Sequence, residues 1–504
     1  DTYGASCWQP TGIGNDAFMS ALVAGSGMSE FSQWLLKTGA NLAQPTIAED
    51  CLTLNVMAPK LEGDKPLPVM LWIHGGGHQY GSGGDMYEST SLVNNGVILV
   101  TINYRLGIYG FMAHPELAEE DPNRSTGNYG MLDQIAALEW VHANIEKFGG
   151  DPANVTIFGE SAGGHSVGQL MASPLAEGLF HKAISQSGYT TSTSTVEAFA
   201  IDETHPTFNH TSNEVVKRLV NNHDSLSSED LYKRLLGLSA EEFFREYSDK
   251  SNLEVPLLTN DGIVIPLEGL EKALSNSSYV SDVPFMAGSN RDEVKLWIGT
   301  AEYFVKLDYS FFGSILGIPR VILKDEDAFE AFNYYRSEAW KVRGVIEPIS
   351  SLNKVGSKNT YAYKFDWDDH RRFIVADFKK LIGASHGTEI SLITGNNKLV
   401  EGYGFLIYPK GPSKRFTSKN ITISYVYARL AADTQLLKIE MFGDKHTEDD
   451  FKRVIDHISY KSKHGYPYAL KLAHNNCEIH LKDLEVIASD YGLRYEIGSR
   501  EAVS

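Results

Sequence analysis

The stretch that most constrains this chain is Asn154-Val155-Thr156-Ile157-Phe158-Gly159-Glu160-Ser161-Ala162-Gly163, an apolar run that ends in a serine with a glycine two positions to either side. The run reads as a strand, and Ala162 to Met171 behind it reads as a helix. A strand that turns into a helix within one or two residues folds sharply back on itself, so the positions flanking the serine must be nearly free of side chain. Gly159 and Gly163 meet that need. The serine is then presented at a helix amino end, where free N–H groups and the positive end of the helix dipole gather. A glycine-rich loop is the plain alternative. The strand before and the helix after supply the context that the nucleophile-elbow motif requires.

The same pattern continues on either side. Val69-Met70-Leu71-Trp72-Ile73 and Val97-Ile98-Leu99-Val100-Thr101-Ile102-Asn103 are near-continuous apolar strands, and Leu132 to Val141 is an amphipathic helix. Strands of that kind alternating with helices predict a mostly parallel sheet covered on both faces, with ligands at the carboxyl ends of the strands. His74-Gly75-Gly76-Gly77 follows the Trp72-Ile73 strand directly. Glycines there let backbone N–H groups approach a substrate oxygen, as an oxyanion hole requires, although a tight turn uses the same residues.

Composition narrows the partners. The 504 residues are 42% hydrophobic, enough for a large core and more than one domain. A formal charge of −19 opposes general nucleic-acid binding, which needs clustered Lys and Arg. No apolar run approaches the ~18 residues of a membrane span. The sequence opens on Asp1, which places any targeting peptide outside it. Of three cysteines, Cys7 and Cys51 share the amino-terminal stretch and Cys477 is remote. The first two are either buried thiols or a bridge, and a bridge around a loop of roughly 40 residues contributes about 3–4 kcal/mol. Within that loop, residues 17–23 and 31–36 read as short apolar helices joined by Gly25-Ser26-Gly27, suited to a rim or lid.

Acyl transfer also needs a base to take the serine proton and an acid to hold that base. Sixteen histidines offer too many candidates. Position helps: the base belongs on a loop at a strand end, after the acid in the chain. Pro284 to Gly288 is a strand running into Ser289-Asn290-Arg291-Asp292-Glu293, Tyr361 to Phe365 is another, and Gly383 to Glu389 is a small-residue loop carrying His386. From the residues alone, Asp292 and Glu293 both remain open as the acid.

Glu49 to Val56, the His74 to Gly77 loop, Asn103-Tyr104-Arg105-Leu106-Gly107, Gly127 to Gln134, Phe148-Gly149-Gly150-Asp151-Pro152 and Gly159 to Gly163 resemble, in order and spacing, the motifs of type-B carboxylesterases, the carboxylesterase/cholinesterase family. The resemblance covers about residues 5–400. It implies an α/β-hydrolase fold, with Ser161 as nucleophile, Glu293 as acid, His386 as base, and Gly76, Gly77 and Ala162 donating to the oxyanion. By the same resemblance Ser187 is a buried hydroxyl supporting the triad, Glu160 and Glu389 are acidic neighbours, and Cys7 pairs with Cys51. It implies a serine carboxylester hydrolase acting on small esters without cofactor or metal; the candidate disulfide points to a secreted or periplasmic setting, and the −19 charge to no nucleic-acid partner. Two departures stand out. Val294 replaces the glycine that usually follows the acid, which keeps Asp292 as a reserve acid, and the strands that precede the family's first cysteine are missing, which leaves a sheet edge exposed. Trp34 does not map onto the aromatic choline site, so no choline ester is inferred.

Residues 1–403 are expected to form the hydrolase domain, with cap segments at 189–283 and 300–358. Beyond about Tyr403 the family pattern stops. Residues 421–429 and 436–441 read as strands, 449–460 and 483–491 as helices, giving a separate α+β module over 404–504. Gly465 to His474 and Ser499-Arg500-Glu501 resemble the carboxy-terminal end of archaeal repair nucleases of the NurA family, with Tyr466 and His474 on that family's functional positions. The alternatives to an active esterase are a non-catalytic relative and a poorly folding composite of a truncated esterase with a nuclease fragment.

Overall fold

The structure, a computed structural model, describes residues 3–9, 46–60, 65–122, 124–199, 212–220, 222–248, 258–299, 301, 303–309, 320–368, 372–373, 376–396, 484–488 and 493–497. The helices expected at 17–23, 31–36 and 449–460, the strands expected at 421–429 and 436–441, and Tyr466 and His474 lie outside these residues.

Among the described residues nine strands form one sheet. They are β1 (Leu54–Met57), β2 (Leu67–Ile73), β3 (Ile98–Ile102), β4 (Gly150–Glu160), β5 (Lys182–Gln186), β6 (Phe285–Asn290), β7 (Thr360–Phe365), β8 (Leu484–Ala488) and β9 (Leu493–Ile497). Their spatial order is β1-β3-β2-β4-β5-β6-β7-β9-β8. The stretch from β3 to β7 is parallel throughout, and β1, β9 and β8 add antiparallel pairings at the ends. The expected parallel sheet is therefore present, and its cause is visible in the burial. Val69 to Ile73 and Ile98 to Ile102 are buried at every position, so neither face of these strands meets water, and a continuous apolar run is what such strands require.

Two helices sit against this core. α1 (Tyr129–Asn144) buries Met131, Ile135, Leu138 and Val141, which recur at helical spacing on one face. α2 (Ala162–Ala172) is buried along its whole length. Pairing of Ile73 with Gly159 brings the carboxyl ends of β2 and β4 level, so the loops that leave them emerge side by side. That register places the His74 loop next to Ser161.

The expected cap stretches are largely helical, including Ser212–Leu219, α3 (Ser228–Leu236) and Ala240–Ser248. Farther on, α4 (Glu326–Lys341) runs through a π-helical turn, Val342–Ile346, into α5 (Glu347–Lys354). The turn rests on the loop that follows β5: a Cβ at Gly344 would stand 2.3 Å from the Gly188 carbonyl oxygen, and the Thr190 hydroxyl donates to the Arg343 carbonyl at 3.2 Å. Contact this close clamps the π-turn onto the loop that follows β5.

Cys7 and Cys51 are joined by a disulfide across a sequence separation of 44. Ser6 beside the first cysteine exchanges backbone hydrogen bonds with Thr46 and Ala48 beside the second, at 2.8 and 3.1 Å. Replacing Cys7 with serine is expected to destabilise the protein by about 4 kcal/mol through loss of loop closure. Denaturant unfolding of the variant beside the wild type measures this, and equal midpoints would show that the bridge contributes nothing.

One expectation is overturned. Within the stretch 483–491, expected as a helix, Leu484–Ala488 is a strand, β8, paired antiparallel with β9, and β9 joins the main sheet beside β7 through Lys364↔Glu496 and Phe365↔Tyr495. Leu484, Ile487 and Ala488 fit helical spacing, but β-branched Val486 and Ile487 and the strict alternation of Leu493, Tyr495 and Ile497 with Arg494 and Glu496 suit a hairpin, and the open edge of β7 supplies its template. This part of the carboxy-terminal segment extends the hydrolase sheet. At the opposite end β1 is half-buried and, among the described residues, pairs with β3 alone.

Candidate active site

Ser161 stands at the turn between β4 and α2 with φ 59° and ψ −121°, a conformation that costs energy in any residue bearing a Cβ. The flanking glycines are needed for a concrete reason. A Cβ on Gly163 would lie 1.9 Å from the Ile73 carbonyl oxygen, and one on Gly159 would lie 2.5 Å from the same atom, so neither position tolerates a side chain while β2 stays in place. The Ser161 hydroxyl caps no helix N–H. Its backbone is fixed by donating from N to the Gln186 carbonyl at 2.8 Å and accepting from His165 N at 2.9 Å.

Beside it runs the His74 loop. A Cβ at Gly75 would stand 3.1 Å from the Ser161 Cβ, which measures how closely the two turns abut. The loop is braced from behind: the His74 ring stacks on Tyr104 at 4.4 Å, the Tyr104 hydroxyl donates to the His74 carbonyl at 2.7 Å, and Gly107 N donates to the His78 carbonyl at 2.7 Å. Burial pushes the His74 imidazole down to about 4, against a smaller upward pull from its Gly75 hydrogen bond, so the ring is neutral at ordinary pH. The N–H groups of Gly76, Gly77 and Ala162 have no acceptor among the described residues. A developing oxyanion is the ligand such a trio suits.

The carboxyl end of β6 and the 383–389 loop bring in the acid and the base. His386 Nδ1 lies 2.7 Å from Glu293 Oε2, and His386 N donates to the Glu293 carbonyl at 3.2 Å. The other oxygen, Oε1, accepts from the Ser187 hydroxyl and from Asn290 N, both at 2.7 Å. Glu293 is completely buried, and these bonds satisfy its carboxylate. Ser187 is itself buried and has a positive φ of 48°.

Two further carboxylates close around the imidazole. Glu160 Oε1 lies 3.1 Å from His386 Nε2, yet neither atom has a well-aligned hydrogen-bond partner, so the contact is an electrostatic approach. Glu389 accepts from Asn290 Nδ2 at 2.6 Å. Burial raises both carboxyls above their usual range; the His386 charge pulls Glu160 back, while Glu160 and Glu293 push Glu389 further up. For His386 burial works downward, but the charge of Glu160, the Glu293 hydrogen bond and the charges of Glu293 and Glu389 outweigh it and raise the ring from 6.5 to about 9.

Val294 does not disturb the turn after Glu293. It has an ordinary backbone conformation, and its side chain packs with Ile298, Phe304 and Phe329. Asp292 faces away from the imidazole, toward Arg291, Lys295, Asn333 and Ala384. As a reserve acid Asp292 is out of reach in this geometry, since its two oxygens are taken by Ala384 N, Arg291 and Asn333.

Several residues at the site were not singled out from sequence. Asn290 Nδ2 bridges the Ser385 carbonyl, at 2.8 Å, and Glu389. Trp297 and Trp340 stand 5.1 and 4.7 Å from the His386 ring and stack on each other at 5.6 Å. Tyr189 packs on Trp340 at 4.4 Å, and Trp340 Nε1 donates to the Ser187 carbonyl at 3.0 Å. The only sequence signal was local: Asn290 and Trp297 flank Glu293 at three and four residues, and Trp340 carried none. Among the described residues no group of His, Cys, Asp or Glu is placed to hold a metal, and no helix is long and apolar enough to cross a membrane.

A parallel sheet with a nucleophile elbow at the end of β4, a glycine loop at the end of β2, and an acid and a histidine delivered from β6 and beyond β7 define an α/β-hydrolase. The carboxylesterase family model matches residues 1–311, and the chain belongs to the carboxylesterase family. Among curated relatives, mouse carboxylesterase 1D is 34% identical over 387 residues, 70% of this chain and 66% of its own. Para-nitrobenzyl esterase of Bacillus subtilis is 41% identical over 49% of this chain and 48% of its own. Fumonisin B1 esterase of Sphingopyxis macrogoltabida is 54% identical over 28% and 26%. The chain thus spans between about a quarter and two thirds of the length of these relatives. Among solved structures, a thermophilic PNB esterase matches with a TM-score of 0.61 at 27% identity over 88% of this chain and 82% of its own. A Geobacillus stearothermophilus carboxylesterase matches with a TM-score of 0.57 at 27% identity over 77% of each.

Proposed function

We propose that this protein is a serine carboxylester hydrolase that works through an acyl-enzyme on small carboxylic esters. The observation that carries the reading is the 2.7 Å contact between His386 and the buried Glu293 beside the elbow serine. Ser161 Oγ attacks the ester carbonyl carbon while its proton passes to His386 Nε2; Glu293 holds the ring in the right tautomer and stabilises the imidazolium. The carbonyl oxygen takes the negative charge and is held by the N–H groups of Gly76, Gly77 and Ala162. Collapse expels the alcohol, which leaves with the proton from His386, and a water activated by the same ring then releases the acid. Membership of a family of esterases supports the reaction class, and the Cys7–Cys51 disulfide supports a secreted or periplasmic setting. We keep the division at about residue 403, with the exception that β8 and β9 belong to the hydrolase sheet, and we assign the carboxy-terminal segment no nuclease activity. Mixing the protein with a short-chain p-nitrophenyl ester is expected to give a burst of p-nitrophenol equal to the protein concentration. No burst and no turnover would sink the reading.

The carboxylates around His386 set a pH dependence. The base acts when neutral, and its conjugate acid in the folded protein lies above the ordinary 6.5, so kcat/KM should rise with pH through a value between 6.5 and about 9. Glu160→Gln removes the charge that contributes most to the increase, and the acid limb should move to lower pH. A pH–rate profile of the two proteins checks this, and a wild-type rate flat from neutrality to pH 5 would exclude a histidine base.

A further inference from the structure

Asp292, one residue before the acid, has a carboxylate that is already fully occupied. It is 3% exposed. Its Oδ2 accepts from Ala384 N at 3.0 Å and from Arg291 Nε and Nη2 at 2.9 and 2.6 Å. Its Oδ1 accepts from Asn333 Nδ2 of α4 at 2.7 Å and faces the Lys295 ammonium at 3.6 Å. The main chain closes the same junction, because Asp292 N donates to the Ala384 carbonyl at 3.0 Å. Ala384 is two residues before His386, so Asp292 grips the incoming strand of the base loop at both its N–H and its C=O. Gly383 shows how tight the grip is. Its φ is +54°, and a Cβ there would lie 2.3 Å from Asp292 Oδ2.

Arg291 anchors this junction to the rest of the sheet. Its N–H donates to the Phe365 carbonyl at the end of β7 at 2.8 Å, and its guanidinium also bonds Asp366 and, at 2.9 Å, Asp368. Burial opposes ionisation of Asp292, but the Arg291 hydrogen bonds, the Lys295 and Arg291 charges and the Ala384 N–H together hold its carboxyl below the usual range, so it keeps its charge. Four donor atoms, from Ala384, Arg291 and Asn333, converge on this carboxylate, and none belongs to the imidazole.

We propose that Asp292 is a positioning residue: by clasping Ala384 it fixes the 383–386 loop against β6, and so sets the distance between His386 Nδ1 and Glu293. The proposal rests on the triad reading above for its kinetic consequence, but the geometry it concerns is measurable without turnover. A histidine Nδ1–H bonded to a buried carboxylate gives a proton resonance far downfield, and that resonance reports the His386–Glu293 contact directly.

The test uses the full chain. Asp292→Ala is expected to lower kcat on a p-nitrophenyl ester by roughly 30- to 100-fold, as a catalytic group displaced by about an ångström would, with KM unchanged. Its acid limb should shift to lower pH, because a looser Glu293 contact holds the imidazolium less well, and the downfield resonance should broaden or move upfield. Asp292→Asn, which keeps an acceptor for Ala384 N, should recover most of the loss. Gly383→Ala forces the same junction open from the loop side without changing a charge, and it decides the question if Asp292→Ala fails to fold. A wild-type protein with no turnover would refute the esterase reading and leave the resonance to judge Asp292. A downfield resonance that stays sharp and unshifted in both Asp292→Ala and Gly383→Ala overturns the proposal, whatever happens to kcat.

Discussion

Ser161→Ala is expected to lower kcat for ester hydrolysis by a factor on the order of 10⁴ to 10⁶ while leaving the fold intact. The hydroxyl oxygen is the atom that bonds to the acyl carbon, and no neighbouring group in the elbow can replace it. Binding and oxyanion stabilisation survive, so a trace of rate remains. The fold should be indifferent because alanine keeps the Cβ, and with it the same strain at φ 59° that serine already bears. Near-ultraviolet circular dichroism checks the fold, and initial rates on a p-nitrophenyl ester check the activity. More than about one per cent of wild-type kcat would remove Ser161 from the role assigned to it.

Glu293→Gln is the second large effect, about 10⁴ in kcat, and it should far exceed the effect of Asp292→Asn. Glutamine is close to isosteric, so packing is kept. The carboxylate accepts three times, from His386 Nδ1, the Ser187 hydroxyl and Asn290 N. An amide has one acceptor oxygen. If that oxygen serves Ser187 and Asn290, the amide nitrogen faces Nδ1 and forces the imidazole into the tautomer that cannot take the serine proton. Asp292 bonds no atom of the ring, and its loss acts only through the loop. A reversed ranking in measured kcat would show that the residue before Glu293 is the functional acid.

What could be read from the sequence was what local spacing encodes. The elbow needs two glycines and a serine within five residues, and the strands are runs of apolar side chains with no polar face, so Ser161, β2 to β4 and α2 were all legible without any partner in view. The pairing of Glu293 with His386 joins residues 93 positions apart, and only resemblance selected them from sixteen histidines and several carboxylates. Nothing local marks Trp340, whose ring reaches His386 across an α-helix and a π-turn. Likewise Asn290 becomes informative only when Ser385 and Glu389 are folded over it, about 95 to 99 residues away. The misread helix at 483–491 shows the same limit in reverse. A short apolar run fits two periodicities, and the deciding contact, an unpaired edge on β7, lies more than a hundred residues upstream.

The seat of the π-turn on Gly188 has a consequence for how such an enzyme changes its diet. Trp340 packs 4.7 Å from the His386 ring and, through its indole N–H, also holds the carbonyl of Ser187, whose hydroxyl donates to Glu293. Selection or engineering that shrinks Trp340 to make room beside His386 therefore tugs on Glu293 by way of Ser187, so space beside the imidazole and the support of the carboxylate cannot be adjusted independently at this position.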